Sequence, residues 1–597
     1  MGQVTQQGQI NTTALVVPDL YVQIVPPQTQ YINGVPTNVL GIVGSASWGP
    51  VGSPTTVGNL AQYAAIFGPV MPRKYDLGTP LAAAMLQGAN NFKVVRVTDG
   101  SDLAATYSIN PITLGVLSGV VVAGGTGNAV GDILTLSTGT QTVAAQFKVT
   151  AVTAGAVTGI SLYNAGNYTV APTAGGATTS SGSGTGCTIT ATTGATNSLS
   201  ITSKYTGTFG NSITATLSAG SQANTQKVVI AAPGLVPEAF DNIGSGLSGI
   251  ALWQAIATAI NNGTSALRGP SAIAVASAAG VITAPIATTY TLAGGLDGAS
   301  NVTGTTLVGV DTVPRTGMYA LRNTGASVAM LADCDLSTTW TTQVSYGLSE
   351  GTYMILTGPS GDTISNAVST KSTAGIDSYA AKLLFGDWVY FLDTYNNQTR
   401  VISPQGFVAG LLANLSPQNS SLNKQIQGVV ATQKTYTNGT YSAADLQQLA
   451  IAGIDLITNP VPGGSYFGCR LGHNSSSNPM TNGDNYTRMT NYIAYTLNAG
   501  MGKFVGMLQS ATVRNQALST ISAFLNNLQQ QSMIGDPNGG PSYSVQIDAN
   551  NNPTSRVSLG YMQADVKVKY LAVIEKFLIN VEGGVSVQIN KQQTALA

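Results

Sequence analysis

The hydrophobic pattern of the first hundred residues alternates between strand and helix. An apolar strand covers Thr37–Gly44, and apolar positions then recur at helical spacing over Asn59–Phe67 and Leu77–Ala89. A second compact apolar strand follows at Phe92–Val97. The order strand, helix, helix, strand predicts that residues 31–108 form the N-terminal part of an α/β core.

The pattern changes sharply after residue 108. Within residues 109–198 the only charged residues are Asp132 and Lys148, and short alternating strands such as Ile133–Leu136 are separated by glycine-rich turns. We interpret this segment as an inserted, surface-facing Gly/Thr-rich β module. Disorder is the alternative, and it is strongest for Ala174–Gly186.

Two further regions are distinguished by their periodicity. Residues 199–304 predict a β-rich outer domain with one helix near Leu252–Asn261. Residues 305–480 return to alternating strands and helices, which predicts a mostly parallel sheet with helices on its faces. The predicted strands are Tyr353–Leu356, Trp388–Leu392, Ile426–Val430 and Asp455–Ile457, and the predicted helices are Gly317–Leu331, Pro404–Ala413 and Ala443–Ala452.

Residues 481–582 predict a C-terminal core domain that contains two amphipathic helices and two strands. Apolar residues three or four positions apart place one hydrophobic stripe on each helix. These are Met489, Ile493 and Leu497 in the first helix and Leu518, Ile521, Leu525 and Leu528 in the second. In the strands, Val566, Val568 and Tyr570 alternate with Lys567 and Lys569.

Both ends of the chain, residues 1–30 and 583–597, are predicted to be extended arms. The unpaired N–H and C=O groups of an edge strand are a template for pairing with another chain. The two arms can therefore insert into a neighbour's sheet, or they can pair within their own chain. The candidate inter-subunit contacts are Leu20, Val22, Ile24, Val585, Val587 and Ile589, and the candidate hinge is Gly583 and Gly584.

Charge is scarce in this chain. Its 24 basic and 24 acidic residues make up 8% of the sequence, against about 25% in a typical protein. A net charge of zero argues against nucleic acid as the main partner, because phosphate binding needs a basic surface. Low charge favours a subunit that buries its surface against its own copies, and it also fits a secreted β-rich protein.

The sequence shows no evident signal peptide and no evident membrane-spanning segment. The N-terminus Met1–Thr5 is polar, so it lacks the apolar core of a signal peptide. The apolar stretch Ile112–Ala123 falls short of the ~20 residues that span a bilayer. We therefore predict no direct membrane insertion.

Candidate catalytic residues are few and scattered. His473 is the one histidine, and Cys187, Cys334 and Cys469 lie far apart without the spacing of a metal site or a disulfide framework. The stretch Gly182–Gly186 lacks the Lys-Ser/Thr of a phosphate loop. We therefore expect no catalytic residues, no cofactor and no metal, and we predict that the protein is not an enzyme.

The order of several short motifs resembles that of the contractile tail sheath proteins of myophages. The resemblance begins with the strand Thr37–Gly44, its Gly-Pro turn and the helix ending in Phe67–Gly68. It continues outside residues 109–198, which have no counterpart in the family pattern. The later motifs are Gly207–Asn211, Ser403–Ala413, and Gly453–Ile457 with Phe467–Arg470.

The resemblance implies a fold and a mechanical function. It implies an α+β or α/β multidomain chain, with a sheath core built from N- and C-terminal parts, inserted β-rich outer domains and arms exchanged between subunits. It further implies six-membered rings stacked helically around a tail tube protein, with baseplate and tail terminator proteins as further partners. Such a sheath contracts to drive the tube through the host envelope. The location implied is the phage tail of a virion that assembles in the host cytoplasm.

The alternative function is a secreted or surface β-rich adhesin, or another self-assembling structural protein. The Gly/Thr/Asn bias of the chain favours it. The absence of an evident export signal and the α/β alternation of residues 305–480 argue against it.

Overall fold

The computed structural model describes residues 3–5, 21–23 and 32–581. The chain divides into two compact units. The central unit comprises Asn38–Asn414 and Ser421–Ser477, and the terminal unit comprises Met1–Thr37, Leu415–Ser420 and Asn478–Ala597. The predicted mixed α/β multidomain class is confirmed.

A parallel sheet lies at the centre of the central unit. Its inner strands, such as Leu40–Gly44 and Tyr353–Thr357, are buried along their whole length, as expected where both faces of a sheet are covered. Neighbouring strands run parallel, except that Thr55–Val57 is antiparallel to Phe92–Arg96. Among the described residues the sheet has seven strands, in the spatial order Ile454–Asp455, Ala381–Leu384, Tyr353–Thr357, Val328–Leu331, Leu40–Gly44, Phe92–Arg96 and Thr55–Val57.

The helices of the central unit lie, in the sequence, between the first and the last of these strands. The α-helices are Leu60–Phe67, Gly78–Leu86, Gly249–Asn262, Gly304–Val308, Trp340–Glu350, Ile364–Ala374, Gln405–Asn414, Gln433–Tyr436 and Ala443–Ile451. Short 3₁₀ segments are Thr208–Ser212, Gly317–Leu321 and Ser337–Thr339. The side chain of Asn59 accepts a hydrogen bond from the Gln62 amide and so caps the first of these helices, which begins one residue after the predicted start.

Two helices approach closely through glycine. A Cβ atom on Gly410 would lie 2.4 Å from the Cα of Ala84, and one on Gly406 would lie 2.8 Å from the Cα of Pro80. The helix Gln405–Asn414 can therefore pack its backbone directly against Gly78–Leu86. This contact explains the spacing of the two glycines in the Ser403–Ala413 motif.

Several predictions for residues 305–480 are wrong. Gly317–Leu331 is not one helix but a 3₁₀ turn, Gly317–Leu321, followed by the buried strand Val328–Leu331. A short apolar run cannot be assigned to helix or strand by its periodicity alone, and pairing on both sides decides here. The helices Trp340–Glu350 and Ile364–Ala374 and the strand Ala381–Leu384 were not predicted.

Two of the predicted strands, Trp388–Leu392 and Ile426–Val430, belong to a separate antiparallel sheet. Val389–Asp393 pairs antiparallel with Gln398–Ile402 and with Val429–Thr432, instead of joining the parallel sheet. The predicted strand Asp455–Ile457 is divided, because Ile454–Asp455 joins the parallel sheet and Ile457–Thr458 pairs with Gly468–Cys469. Tyr353–Thr357 and the helices Gln405–Asn414 and Ala443–Ile451 lie where they were predicted.

The glycine-rich segment forms its own β structure around Phe147, Ile189 and other buried apolar side chains. Its sheet curls, since the Val116 amide donates to the Ala165 carbonyl and the Asn128 amide to that of Gly155. Residues for which disorder was the alternative contain the paired strand Gly176–Ser180. The strands in spatial order are Ala156–Asn164, Gln146–Thr153, Ile133–Leu136, Gly176–Ser180, Thr185–Thr196 and Ile112–Thr126, with the ribbon Thr140–Val143 and Asn167–Val170 beside them.

The following region builds two antiparallel sheets around one helix. Helix Gly249–Asn262 buries Trp253, Ile256 and Ile260 among apolar side chains of the sheets, which confirms the predicted helix. One sheet contains Ala274–Ala278, Leu199–Thr206 and Ala104–Ile109, and the other contains Glu238–Ile243, Gln226–Ala231, Thr214–Ala219 and Thr288–Thr291.

A buried ion pair connects the parallel sheet to two loops. The Nζ atom of Lys382 donates to Asp455 Oδ2 at 2.6 Å, to the His473 carbonyl at 3.0 Å and to Ser421 Oγ at 3.3 Å. The Asp455 carboxylate also accepts from the amides of Leu456, Leu471 and Gly472. Both charged side chains are fully buried, so removing one of them leaves the other without its countercharge.

We expect Asp455→Ala to lower the free energy of unfolding by about 3–5 kcal/mol, because Lys382 would stay buried without its partner. Chemical denaturation of the purified chain, followed by circular dichroism, measures this loss. Asp335→Ala removes a carboxylate whose partner Lys74 is 46% exposed, and it should cost at most about 1 kcal/mol. Equal losses in the two variants would contradict the role given to the buried pair.

Candidate subunit interface

The terminal unit is built on two long helices and a pair of antiparallel strands, Tyr543–Gln546 and Asp565–Val568, which we call the hairpin. Helices Asp484–Met501 and Ala511–Gln530 pack through Met489, Ile493, Ile521, Leu525 and Leu528, as their apolar spacing predicts. Phe524 joins this core and was not predicted. The remaining elements are the 3₁₀ segment Gly502–Phe504, the short helix Thr554–Val557 and the antiparallel strands Tyr543–Gln546 and Asp565–Val568.

The hairpin has one covered face and two edges. Tyr543, Val545, Val566 and Val568 pack on the helical core, whereas Ser544, Gln546 and Lys567 are exposed. Among the described residues, each strand pairs only with the other. The outer edges of the hairpin therefore offer backbone groups to which a further strand can be added.

The N-terminal arm leaves the first long helix at a fixed point. A Cβ atom on Gly500 would lie 2.6 Å from the side chain of Ile32, and Gly34 lies directly against the ring of Tyr492. The amide of Val35 donates to Thr496 Oγ1 at 3.2 Å. These contacts hold the chain at residues 32–35, so the arm that precedes them starts from the surface of helix Asp484–Met501.

The C-terminal tail leaves the same core as an exposed apolar segment. The Asn485 side chain donates to the Leu571 carbonyl at 3.3 Å, and the hydroxyls of Tyr570 and Thr490 lie 3.2 Å apart. Beyond this point residues 571–581 form neither helix nor strand. The exposed side chains are Ile574 (78%), Phe577 (81%), Leu578 (84%), Ile579 (67%) and Val581 (86%).

Sequence reasoning did not identify this tail as a candidate contact. It placed the arm at residues 583–597 and assigned residues up to 582 to the core domain. The signal was present, because eight of the eleven residues from Leu571 to Val581 are apolar and the run follows the last strand of the unit. In the structure this run packs against little of its own chain.

The predicted arm contacts fall almost entirely outside the described residues. Leu20, Ile24, Gly583, Gly584, Val585, Val587 and Ile589 are not described. Val22 belongs to the strand Tyr21–Gln23, whose backbone pairs in parallel with Gln3–Thr5 of the same chain. This pairing joins two segments of the N-terminal arm, and the contact of the arms with other subunits stays a prediction.

An ion pair lies beside the start of the tail. Lys569 donates a short hydrogen bond to Asp536, and this bond holds the pKa of the Asp536 carboxyl below its ordinary value. Burial raises the pKa of the Tyr570 phenol, which therefore stays neutral next to the point where the tail departs.

The place where an α/β sheet usually binds its ligand is filled by the chain itself. Such ligands bind at the carboxyl ends of the strands, where the strand order reverses, which here is between Leu40–Gly44 and Val328–Leu331. The amide of Ser45 donates to the Tyr75 carbonyl at 2.7 Å, and that of Leu77 donates to the Ser45 carbonyl at 2.9 Å. The backbone of residues 75–77 thus occupies this crevice.

The residues considered for catalysis take part in the packing of the chain itself. The His473 carbonyl accepts from Lys382, and all three cysteines are buried free thiols. Burial raises the pKa of the Cys334 and Cys187 thiols, which favours the unreactive protonated form. No group of three or more metal-binding side chains is found in the part of the chain that the structure describes.

Among the described residues, no helix combines the length and the apolar character needed to cross a membrane.

Solved structures define the class of this fold, which is that of tail sheath proteins. The crystal structure of a sheath tail protein from Desulfitobacterium hafniense matches 89% of this chain and 94% of its own, at 14% identity and a TM-score of 0.50. One from Listeria innocua matches the same shares at 12% identity and a TM-score of 0.53. The resemblance predicted from the motifs is confirmed at the level of the fold.

The sheath of a contractile assembly is less similar to this chain. The helical sheath of the anti-feeding prophage, in its contracted state, covers 95% of this chain and 99% of its own at 9% identity, with a TM-score of 0.47. The fold assignment rests on the two crystal structures. No protein-family model matches this chain, and neither does any curated protein sequence.

We expect the double variant Phe577→Asp/Leu578→Asp to lose self-association while its subunit stays folded. Both side chains are exposed in the single chain, so the free energy of unfolding should change by less than about 0.5 kcal/mol. Sedimentation velocity and thermal denaturation measure the two effects. Leu559→Asp alters an exposed leucine of the same unit outside the tail and should leave assembly intact; equal losses of assembly would count against the tail.

Proposed function

We propose that this chain is the structural subunit of a contractile tail sheath. It polymerises as stacked six-membered rings around a tail tube and contracts to drive the tube through the host envelope. The observation that carries the proposal is the sheath fold, which extends over 89% of the chain in two crystal structures. The function is mechanical and uses no catalytic residue, cofactor or metal.

Subunits are joined in this proposal by strands added to the hairpin of a neighbour. Leu20, Val22 and Ile24 in one arm, and Val585, Val587 and Ile589 in the other, supply period-2 faces. Each arm would lie along one edge of the strands Tyr543–Gln546 and Asp565–Val568 of another copy. Backbone hydrogen bonds then hold the subunits together while the bodies rotate about the hinge at Gly583 and Gly584.

The tail is long enough for this exchange. The seventeen residues from Val568 to Val585 reach about 55 Å when extended. A compact body of the terminal unit's size has a radius of gyration of about 15 Å. The tail can therefore cross its own unit and reach a neighbouring copy.

The exposed tail also supplies a driving force. Burying a side chain such as Phe577 or Leu578 contributes about 1.5–3 kcal/mol. Repeated over every subunit, contacts of this kind favour polymerisation without nucleotide hydrolysis. In the proposed cycle the extended sheath is metastable, and contraction forms the more favourable set of contacts.

The other partners and the location follow from the same proposal. They are the tail tube protein along the inner surface and the baseplate and tail terminator proteins at the two ends. The sheath assembles in the host cytoplasm and becomes part of the virion tail. Nucleic acid is not a direct partner in this arrangement, since the chain has no net charge.

Assembly of the purified chain tests the proposal. We expect rings, tubes or polysheaths in negative-stain micrographs, and we expect deletion of residues 585–597 to abolish them while circular dichroism still reports a folded monomer. A persistent monomer at high concentration would overturn the sheath function. Tubes formed by the truncated chain would overturn arm exchange and leave the sheath function standing.

Excision of residues 112–196 should leave assembly intact. The two ends of this module are already joined, because the Ser198 amide donates to the Ile109 carbonyl at 2.9 Å and the Asn110 side chain to Ser198 Oγ at 3.0 Å. Joining Pro111 to Asn197 therefore makes a short turn between the paired strands Ala104–Ile109 and Leu199–Thr206. Electron microscopy and thermal denaturation provide the measurements, and a chain that no longer folds would show that the module is part of the core.

A further inference from the structure

A buried polar cluster lies beside the loop that leads into helix Gly78–Leu86. Its members are Tyr63, Arg73, Asp76 and Arg96, and only Arg73 has any exposed side-chain surface. Five of their buried atoms have no hydrogen-bond partner in the described part of the chain: Tyr63 Oη, Arg73 Nε and Nη2, Asp76 Oδ1 and Arg96 Nε. Buried polar atoms are nearly always bonded, so this concentration requires a physical explanation.

Arg73 stands between two carboxylates. Its Nη1 lies 2.5 Å from Asp297 Oδ2, whereas its Nε is 4.0 Å from Asp76 Oδ1. The two unpartnered donors of Arg73, Nε and Nη2, form the side-on fork with which arginine binds a carboxylate. The unpartnered acceptor of Asp76, Oδ1, lies 4.0 Å from the Nε atom of this fork, which is slightly too long for a hydrogen bond.

Asp297 joins the central sheet to the β-rich region. Its Oδ1 accepts from the Thr208 amide at 2.6 Å and from the Thr208 hydroxyl at 2.8 Å. Arg96, on a central strand, donates to the Asp297 carbonyl at 3.1 Å and to the Thr206 carbonyl at 2.8 Å. A change in how Arg73 holds Asp297 therefore acts on the junction with residues 199–304.

We propose that Arg73, Asp76 and Asp297 form a proton-linked latch between the central sheet and the β-rich region. While Asp76 is protonated, Arg73 forms its ion pair with Asp297 alone. When Asp76 releases its proton to solvent, its carboxylate draws in Nε and Nη2 of Arg73. Arg73 then clamps both carboxylates and tightens the junction.

The surroundings of Asp76 place its titration in the neutral range. Burial raises its pKa from 3.8 to about 7, against the opposing effects of Arg73 and of two hydrogen bonds from Thr79. Thr79 Oγ1 in turn accepts from Arg400. The other titratable or charged groups around the site are Tyr63, Arg96, Asp297, Asp333 and Asp393.

The neighbours of Asp76 keep their charge states near neutral pH. Burial raises the pKa of Tyr63, which stays a neutral phenol, and lowers the pKa of Arg96 to about 10, which leaves it cationic. Burial also raises the pKa of Asp333, so this second carboxyl needs its own control. It accepts from the Ser403 amide at 3.4 Å and is not bonded to Arg73.

The sign of the linkage is fixed by the direction of the pKa shift. Because the folded chain holds the Asp76 proton more tightly than the unfolded chain, global stability falls as pH rises from about 4 to about 7. The latch acts instead on local opening of the junction, in which Asp76 stays buried and only its contact with Arg73 changes. The ratio of the unfolding constants of wild type and Asp76→Asn should therefore rise by up to about tenfold per pH unit in this window.

The latch itself is tested by hydrogen–deuterium exchange of peptides that contain the Thr208 amide. The full-length, unassembled chain is compared at pH 5.5 and pH 8, with exchange corrected for its intrinsic pH dependence. We expect protection of this amide to rise severalfold in the wild type at the higher pH. Asp76→Asn and Arg73→Lys should show no such rise, since the first cannot ionise and the second lacks the fork.

Two matched variants control for charge and for the second carboxyl. Asp335→Asn and Asp333→Asn should both keep the wild-type response, because neither carboxylate contacts Arg73. A pH response that persists in Asp76→Asn, or one that is absent from the wild type, would overturn the latch. If Asp76→Asn does not fold, Arg73→Lys provides the test. A rise in protection of the Thr208 amide at pH 8 in that variant would also overturn the latch.

Discussion

The pairing of Leu40–Gly44 with Val328–Leu331 is the contact on which the rest of the central unit depends. It joins, in parallel, two strands from distant parts of the sequence, and every other strand of the sheet is added on one side or the other. The entropic cost of closing so long a loop grows only slowly with its length. The residues between these strands can therefore carry a β-rich region, and the module at 112–196, without disturbing the sheet.

This constraint also determines what the sheet can do. Residues 75–77 are bonded to Ser45 at the point where the strand order reverses, and a Cβ atom on Gly44 would lie 2.7 Å from the Tyr75 carbonyl oxygen. The space that an α/β enzyme gives to its ligand is thus used to fix the chain's own backbone. The buried pair of Lys382 and Asp455 fixes two further loops at the far side of the sheet. Both features favour a stiff body over a binding crevice.

Local sequence signals predicted the elements that local interactions determine. The helix after Asn59 has its cap, and the helices of the terminal unit have clear apolar stripes. The strand Val328–Leu331 was missed because its identity depends on partners far away in the chain. Trp388–Leu392 was placed in the wrong sheet, although Asp393–Gln398 carries a hairpin signal in Asn396 and Asn397, the latter with a φ of +52°.

The candidate interface was predicted less well, for a related reason. An apolar run such as residues 571–581 is assigned to a core unless something shows that the core is already complete. Phe524, Ile521 and their neighbours cover the inner face of the hairpin, and Asn485 holds the start of the tail. That information is tertiary, so periodicity alone could not supply it.

The same packing explains why the tail can be both apolar and available. Tyr543, Val545, Val566 and Val568 already fill the covered face of the hairpin, so this face leaves no apolar surface for the tail. What the hairpin still offers is its two edges, whose backbone groups suit a strand. A chain that satisfied its own edges would be a stable monomer and could not polymerise. In the proposed sheath, a subunit that keeps its edges and its apolar tail for a neighbour would gain its remaining stability in the lattice.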